Sequence, residues 1–520
     1  MKKWGLTCMV VTVAFAAALG GEFNKAAGIV VAKGMSDDGA VVVLRTPPGA
    51  QEWGYWWKPP GAPLILGDLP GGAERTRPLA ISGDGSTVVG WSSSANGDSE
   101  AFRWTSKGIE ELGDLSTSRF ESKATGITYD GKVVLGEGIV ARNGFATPQA
   151  AIWSDEGWIT GLGFLPGGYD RTYVIDCSAD GTLVVGTGFS ENGSQTWRWD
   201  SVNLMVDIGP IPVDGSESGR QNAALACSDD GTQIIGLGYD LELGWSHGPT
   251  HIWYWDETNG FNVLAEAPGG PFLSGKPAVF GSNSLVSDDM SAIIAPYSGG
   301  STSGILRWDA IVGISELETQ GKMTTVTDIS ADGEVVVGMM TDFDNTSHAV
   351  IWGPDGQLKI LKDFLEEART DTLDFALITA AAVSADGRAV AGQIGVDDPY
   401  QPSAYHATLD GLWIFDKKVD EFWNYSDWYG YYSEASDLFM WHSEHGWQFS
   451  TGDELSAYIF DYGLDCWYWT NADLYPYFYK FGYLEGWVYY YVGCEPTERW
   501  FYLFDTGTNV QEEEMKLPPG

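Results

Sequence analysis

Short apolar and polar runs alternate along most of the chain, and one run returns again and again. It reads Ser-x-Asp-Gly, then a β-branched stretch and a glycine, as in ISGDGSTVVG at 81–90. An Asp-Gly pair suits a tight hairpin turn, and a β-branched stretch of this length is typical of a strand. The pattern predicts a hairpin at each copy, and the copies begin at Ser36, Ser82, Thr128, Ser178, Ser228, Ser287, Ser330 and Ser384.

Each copy continues into a second hairpin. A polar loop leads to an aromatic strand, such as AFRW at 101–104 or AVIW at 349–352, and a glycine turn then starts a fourth strand, such as GIEELGDL at 108–115. Four short strands in about 50 residues, with no helical stretch between them, are typical of a propeller blade. A single blade cannot bury both of its faces, so blades pack face to face around an axis.

The repeats therefore predict an all-β chain with an eight-bladed β-propeller over residues 28–416. Two copies are irregular, because Leu44 replaces the last glycine of the first, and Met290 and Ala295 replace both glycines of the sixth. If one of these units has another role, a seven-bladed propeller is the alternative. An array of β-sandwiches fits less well, because sandwich repeats are usually about twice as long.

The motifs of this repeat resemble a known family. The order LGDLPGG, LAISGDGSTVVGWS, EAFRW and GIEELGDL within residues 66–115 resembles the HAF repeat of bacterial extracellular proteins, named for a His-Ala-Phe strand. SHAVIW at 347–352 keeps the His-Ala pair. The resemblance implies a secreted, β-propeller-like protein that is often associated with the cell surface. It implies no established reaction, and a fold alone does not supply one.

Aromatic residues dominate the pattern after the repeats. From 422 to 504 there are 31 Phe, Trp or Tyr in 83 residues, in lines such as YIFDYGLDCWYW at 458–469. Aromatics at every second position on both sides of a turn predict hairpins with one aromatic face. We therefore predict a small module of aromatic β-hairpin repeats at 420–507, followed by an acidic tail at 508–520.

The aromatic module resembles C-terminal repeats of secreted Gram-negative proteins and the cell-wall-binding repeats of Gram-positive surface proteins. The latter trap a ligand between rings of neighbouring hairpins, and Trp447, Trp467 and Trp487 recur here with spacings of 20 residues. By this resemblance, those three tryptophans with Tyr479 and Tyr489 would stack on sugar rings, since an aromatic face matches the apolar face of a pyranose. There are two alternative roles for these aromatic residues. They could pack the core of a small module, or they could contact a protein.

The net charge and the first 20 residues indicate which partners and which cellular location to expect. The chain has 29 Lys and Arg against 71 Asp and Glu, a net charge of −42, which argues against binding to nucleic acid or to an anionic membrane surface. Lys2 and Lys3 precede an apolar run and small residues, which is the order of a signal peptide at 1–20. We therefore predict export to the cell surface, the medium or the periplasm of a bacterium. We expect no membrane span in the mature chain. An uncleaved anchor is the alternative.

The cysteines remaining after such a cleavage leave two interpretations open. Cys466 and Cys494 lie in one segment and could form a disulfide, whereas Cys177 and Cys227 occupy equivalent places in consecutive repeats, where buried thiols are as well explained.

No constellation typical of catalysis is present, so we predict no catalytic, cofactor-binding or metal residues. His247 and His251 lack the helical frame of a zinc protease, and His442 and His445 are predicted to be a solvated pair at a hairpin turn. The repeated aspartates are explained as turn formers, although a Ca²⁺ ion on the propeller axis stays open. Arg103, Arg198 and Arg307 are expected at outward strand positions, with stacking on a neighbouring ring as one option.

The sequence thus favours a secreted or cell-surface propeller that binds or scaffolds without catalysis. Its aromatic module would attach to a glycan, to a cell-envelope polymer or to a surface protein. The alternative is a secreted enzyme acting on polysaccharides, a glycosidase or a lyase, because propellers host such activities as well.

Overall fold

The computed structural model describes most of the chain between Phe23 and Lys516. The described residues are 23–26, 31–37, 39–45, 52–116, 121–191, 193–213, 216–239, 249–266, 279–280, 284–299, 302–367, 372, 375–395, 403–409, 417–418, 423–426, 428–436, 439–453, 456–471, 474–496 and 498–516. The predicted signal peptide lies outside them. Two compact units divide the chain: residues 23–362 with 374–407 form one, and residues 1–22, 363–373 and 408–520 form the other.

The larger unit is built from antiparallel sheets that follow one another along the chain. After a short first strand, Phe23–Ala26 (β1), the first four sheets hold Val31–Met35, Val41–Arg45, Trp53–Trp57 and Leu64–Ile65 (β2–β5); Gly71–Ile81, Val88–Ser94, Glu100–Thr105 and Gly108–Glu111 (β6–β9); Lys123–Ile127, Val134–Arg142, Phe145–Trp153 and Ile159–Gly161 (β10–β13); and Gly167–Cys177, Leu183–Ser190, Gly193–Asp200 and Leu204–Asp207 (β14–β17).

The remaining sheets of this unit continue the series, and a helix, Leu361–Glu367 (α1), follows the seventh. They hold Ile211–Val213, Ser216–Cys227, Gln233–Tyr239, His251–Asp256 and Gly260–Glu266 (β18–β22); Val279–Phe280, Leu285–Val286, Ala292–Gly299, Thr302–Asp309 and Gly313–Leu317 (β23–β27); Met323–Ile329, Val336–Thr341, Ser347–Trp352 and Leu358–Ile360 (β28–β31); and Ala376–Val383, Ala389–Gly395 and Ser403–Thr408 (β32–β34).

The first strand of the chain completes the last sheet of the series. Strand β1 pairs antiparallel with β34, which places Phe23 opposite Ala407. Phe23 also stacks on Tyr405, with 5.9 Å between ring centroids, and the Lys25 ammonium lies 4.0 Å from the Phe375 ring centroid. This pairing joins the two ends of the series, so the predicted all-β propeller is confirmed. Its first strand precedes residue 28, where the sequence placed the start.

The repeated Ser-x-Asp-Gly motif forms the turn between the first two strands of a sheet. In the fourth sheet the Ser178 hydroxyl accepts a hydrogen bond from Leu183 N at 3.0 Å and donates to Asp180 Oδ1 at 2.7 Å. Gly181 has φ +67°, and a Cβ there would lie 2.7 Å from Val133 Cγ2. The hydroxyl makes the same two bonds in six other copies: Ser82, Thr128, Ser228, Ser287, Ser330 and Ser384.

The aspartates of these seven copies are therefore turn formers, as predicted, because each accepts bonds inside its own turn. In the sixth copy Met290 takes the place of glycine and adopts φ +58°, a conformation that disfavours side chains with a Cβ. Its backbone N–H still donates to Ser287 O at 2.9 Å, so the turn keeps its shape despite the substitution.

Buried polar side chains join neighbouring sheets. Ser122, at the start of the third sheet, accepts from Ala101 N and donates to Gly113 O in the second sheet and its following loop, both at 3.0 Å. Such a side chain satisfies a donor and an acceptor that the sheets leave unpaired. Two fully buried residues do the same at the next two boundaries: Thr172, between Ala150 N and Gly163 O, and Asn222, between Thr196 N and Gly209 O.

The smaller unit contains one antiparallel sheet in which each described strand pairs with the next. Its strands are Lys417–Lys418, Asn424–Ser426, Gly430–Ser436, Phe439–His442, Gly446–Asp453, Ser456–Asp461, Cys466–Thr470, Tyr477–Lys480, Gly486–Tyr490, Trp500–Leu503 and Thr508–Gln511 (β35–β45). Consecutive pairing is what a series of hairpins predicts.

Part of the segment predicted as an acidic tail, residues 508–515, has regular structure. Strand β45 pairs with β44, and a short helix, Glu512–Met515 (α2), follows it. Met515 is fully buried in the core of this unit, and the Glu512 carboxylate pairs with Arg499. An apolar side chain and a charge partner therefore hold this acidic segment in place. Residues 517–520 lie outside the described part.

We expect Ser178→Ala to destabilise the propeller, because Asp180 and Leu183 N lose their partner in a turn where the hydroxyl is buried. Loss of a buried hydrogen-bonding partner costs about 1–3 kcal/mol. Urea denaturation followed by far-UV circular dichroism measures the shift of the midpoint. Ser106→Ala, in an exposed turn, is the control and should shift the midpoint little. Equal midpoints for both variants would contradict this account of the motif.

Candidate functional site

The strands of the C-terminal sheet have two chemically different faces. In β41 the side chains of Cys466, Tyr468 and Thr470 are buried, whereas Trp467 and Trp469 point to the opposite side and are only partly buried. Side chains alternate in this way along every strand. The buried side packs into the core of this unit with Ile459, Phe478, Val488 and Phe501.

The opposite side, which we call the aromatic face, carries rings on nine consecutive strands. They are Tyr425, Tyr431, Phe439, Trp441, Trp447, Phe449, Tyr458, Phe460, Trp467, Trp469, Tyr477, Tyr479, Trp487, Tyr489, Trp500 and Tyr502. Among the strand positions on this face with described side chains, none is charged; the others include Ser433, Asn509 and Gln511. The register also places two charged residues on this side of the sheet, Lys417 opposite Tyr425 and Asp453 opposite Ser456. The uncharged surface is therefore the part that the rings form, in a chain with a net charge of −42.

The strand register arranges these rings in rows that run across the strands. The first row holds Phe439, Phe449, Phe460 and Trp467, on β38–β41. The second row holds Tyr458, Trp469, Tyr479 and Trp487, on β40–β43, and the third holds Tyr477, Tyr489 and Tyr502, on β42–β44.

Neighbouring rings in these rows mostly meet edge to face. Phe439 and Phe449 have centroids 5.1 Å apart and planes at 64°, and Tyr479 and Trp487 have centroids 5.8 Å apart and planes at 85°. This geometry suits the aromatic quadrupole, and such pairs contribute about 0.5–1.5 kcal/mol each beyond the burial of their area. Cross-strand pairing thus holds the rings in fixed positions relative to one another.

The structure places all five predicted ligand residues on the aromatic face. Trp447 and Trp487 are 48% and 39% exposed, and Trp467, Tyr479 and Tyr489 are partly buried. None of the five belongs to the buried core cluster of this unit. A role in binding stays a prediction, but packing of the inner core does not explain their positions.

The 20-residue period does not place the three tryptophans side by side. Trp447 lies opposite Trp441, outside the three rows, whereas Trp467 belongs to the first row and Trp487 to the second. Each hairpin is displaced along the strand direction relative to the one before it. Tyr479 and Trp487 are opposite one another, so these two predicted residues do come together.

Sequence reasoning missed most of the ring residues on this face. Trp441, Phe449, Phe460, Trp469 and Tyr477 occupy the same kind of position as the five chosen residues. Strict alternation of aromatic residues within each strand was the signal that could have found them.

The histidines of the turn after β38 are buried, so the predicted solvated pair is wrong. His442 and His445 are each 1% exposed. His442 Nε2 donates to Tyr429 O at 2.7 Å, since Nδ1 accepts from Glu444 N and His445 N at 3.1 and 3.2 Å. Burial lowers the pKa of His442 to about 4 and that of His445 well below its usual value, so both rings are neutral at pH 7.

A fully buried ion pair lies beside these histidines, on the core side of the C-terminal sheet. The Arg499 guanidinium makes a two-pronged contact with Asp461, including Nη2 to Oδ1 at 3.0 Å, and its Nε donates to Glu512 Oε2 at 3.1 Å. Both Arg499 and Asp461 are fully buried. Burial opposes the charge of Arg499, but its two carboxylate partners outweigh this effect and raise its pKa above the ordinary value. These buried charges are paired in only one strand register, so they favour that register over its alternatives.

Two aspartates with raised pKa values lie on the first strands of the fourth and seventh sheets. Burial raises the pKa of Asp176 to about 6 and that of Asp328 to about 7. The Asp328 carboxylate accepts from Ile329 N at 3.0 Å and from Val383 N, in the next sheet, at 2.9 Å. Asp176 accepts in the same way from Cys177 N and Cys227 N. These carboxylates join neighbouring sheets.

The remaining candidate residues have structural surroundings. His251 lies buried on β21 and contacts Thr250 Oγ1 through Nδ1 at 2.7 Å, whereas His247 is outside the described residues. Arg198 lies 5.7 Å from the Trp255 ring centroid in the next sheet, as the stacking option predicted. Cys177, Cys227, Cys466 and Cys494 are free thiols. In the described part of the chain, no group of three His, Cys, Asp or Glu residues is arranged to hold a metal ion.

Comparison with known proteins shows similarity in fold alone. No family model matches the chain, and no curated protein does. TolB from Acinetobacter baumannii is 16% identical with a TM-score of 0.31, over 52% of this chain and 62% of TolB. The β-propeller domain of the Trilobed protease from Pyrococcus furiosus is 12% identical with a TM-score of 0.40, over 64% of this chain and 97% of that domain.

An oligogalacturonate lyase in complex with manganese is 12% identical with a TM-score of 0.39, over 75% of this chain and 98% of the lyase. This chain spans less than two thirds of TolB, and similarities at this level carry no argument about activity. Within the described residues, no helix is both long and apolar enough to cross a membrane.

The neutral histidines predict a pH dependence for the C-terminal unit. Because the pKa of His442 is about 4 in the folded chain and about 6.5 when unfolded, the unfolded state binds more protons between these values. The free energy of unfolding should therefore fall as the pH is lowered from 6.5 to 4, by at most about 3 kcal/mol for this group. The lowered pKa of Glu512 acts in the same direction.

Hydrogen exchange of the full chain, corrected for the intrinsic effect of pH, measures this change in peptides from β38–β44. His442→Asn should flatten the dependence, because one titrating group is removed. Protection that stays constant between pH 7 and pH 4.5 would contradict the buried neutral state of these rings.

Proposed function

We propose that this protein is a secreted or cell-surface binding protein without catalytic activity, in which the aromatic face attaches to a glycan or a cell-envelope polymer. The observation that carries the proposal is the aromatic face itself. Its rings lie side by side on consecutive strands, away from the core of their unit, and the described side chains of the face are uncharged. Rings presented in this way suit the apolar faces of sugars.

The propeller would serve as the scaffold in this proposal, of the type found in HAF-repeat proteins. Its eight sheets would be eight blades, in agreement with eight copies of the motif. Backbone hydrogen bonds between successive turns support this arrangement, such as Asp37 N to Gly83 O at 3.0 Å and Ala331 N to Ala385 O at 2.9 Å. A seven-bladed ring, the alternative, would leave one sheet outside the ring.

The competing proposal of a polysaccharide-acting enzyme has its best candidate in Asp328, whose pKa of about 7 is suited to a general acid. Both of its carboxylate oxygens already accept backbone N–H groups from two sheets. Burial accounts for the raised pKa of Asp328. Because both oxygens already bind backbone N–H groups, neither is free to donate a proton to a substrate. We therefore favour binding over catalysis.

Export is part of the proposal, because the HAF resemblance and the charge–apolar–small order of residues 1–20 both indicate it. Secretion would place the neutral aromatic face where it meets extracellular or envelope polymers. N-terminal sequencing of the protein from the culture medium and the cell envelope of its source tests where the chain begins after processing.

Co-sedimentation of the full chain with insoluble polysaccharides and with cell-wall preparations tests the function. We expect saturable pelleting, and the double variant Trp447→Ala, Trp487→Ala should bind at least tenfold more weakly, since two exposed rings are lost. Phe343→Ala is the matched control, because Phe343 is an aromatic residue of the propeller that is 89% exposed.

The control variant should pellet like the unmodified protein. A folded protein that pellets with none of these polymers, or a double variant that pellets as well as the control, would refute attachment through the aromatic face.

A further inference from the structure

We infer that the aromatic face binds single, extended chains of an uncharged polysaccharide, which lie across the strands along the rows of rings. This inference rests on the proposed function and names the class and the orientation of its ligand. It follows from three features of the face: its lack of charge, the length of its rows and the tilt of neighbouring rings.

Charge selects a neutral polymer. Among the face positions whose side chains are described, none is a cation that could pair with uronate, sulfate or phosphate groups. Lys417, opposite Tyr425 on β35, lies outside the three rows. A carboxylate lies beside the second row instead, because Glu485 accepts a hydrogen bond from the Tyr479 hydroxyl at 3.2 Å. With a net charge of −42 on the chain, a polyanion would be repelled. A neutral polysaccharide meets neither obstacle.

The length of the rows selects a polymer over a small sugar. The second row runs from Tyr458 through Trp487, and a backbone bond from Phe504 N to Trp487 O brings Phe504 to its end. This row crosses four strands, with Phe504 just after the end of a fifth, and each step between strands is about 4.8 Å. A pyranose in an extended chain advances by about one such step. Several consecutive sugars can therefore contact one row, whereas a disaccharide would use only part of it.

The tilt of the rings selects a single chain over a crystalline surface. A flat crystal face needs coplanar rings, but Trp469 and Trp487 have planes at 71°, and Tyr479 and Trp487 have planes at 85°. Rings that meet edge to face do not form the flat platform that a crystal face requires. One chain with rotational freedom about its linkages can follow rings tilted in this way.

Tryptophan fluorescence titration of the full chain tests the inference with defined probes. Hydroxyethylcellulose and dextran are the neutral polymers, and alginate and polygalacturonate are the acidic ones. We expect saturable binding of at least one neutral polymer, changed less than twofold between 50 and 500 mM NaCl, and at least tenfold weaker binding of the acidic polymers. A hexasaccharide of the bound polymer should bind at least tenfold more tightly than its disaccharide.

Variants locate the binding on the second row. Tyr479→Ala with Trp487→Ala should weaken binding of the neutral polymer at least tenfold, and circular dichroism checks that the sheet is retained. Tyr479→Phe keeps the ring and should bind within twofold. Tyr483→Ala is the control, because Tyr483 is 41% exposed but lies in the turn after β42, outside the rows.

The outcomes separate this inference from the proposed function. Tighter binding of alginate or polygalacturonate, or equal binding of disaccharide and hexasaccharide, would overturn the inference and leave attachment to a glycan in place. Binding only to insoluble crystalline polysaccharide would also overturn it. A folded protein that binds no polymer in solution or in the pellet would overturn both.

Discussion

The alternation of side chains along β-strands is the constraint on which the C-terminal sheet depends. A slip of one residue would carry every inner side chain to the outside. Here that slip would expose the core and would place the buried ion pair of Arg499 and Asp461 on the aromatic side. Charges with fixed partners tolerate no such change, so the ion pair and its neighbouring histidines specify the register. The aromatic face is the other consequence of the same register.

Polar groups perform a similar task in the propeller. The hydroxyl of Ser178 closes its turn, and the hydroxyls of Ser122 and Thr172 join a strand of one sheet to the start of the next. Each is buried, where an unpaired donor or acceptor is costly. Asp176 and Asp328 link neighbouring sheets in the same manner. Loops of different lengths can then vary between repeats without disturbing these contacts.

The sequence predicted the features whose causes are local. The turn at Ser178 forms within six residues, and alternation of aromatics made one face of the hairpins visible. Features that depend on distant partners were missed. Ser122 acts on Ala101, 21 residues earlier.

Arg499 contacts both His445, 54 residues earlier, and Glu512, 13 residues later. The burial of His445 and the position of Glu512 therefore depend on a residue distant in sequence. A local pattern of polar residues indicated a solvated turn at the histidines, because nothing nearby in sequence shows which charges will meet. The displacement of successive hairpins, which separates Trp447, Trp467 and Trp487 into different positions, likewise follows from pairing and not from their 20-residue spacing.

Hydroxyl-radical footprinting of the full chain, with and without a saturating polymer that it pellets with, tests the central claim most directly. The account predicts that Trp447, Tyr479 and Trp487 are protected by the polymer, while Phe343 of the propeller is oxidised equally in both states. Protection confined to propeller residues, with unchanged oxidation of the aromatic face, would contradict it.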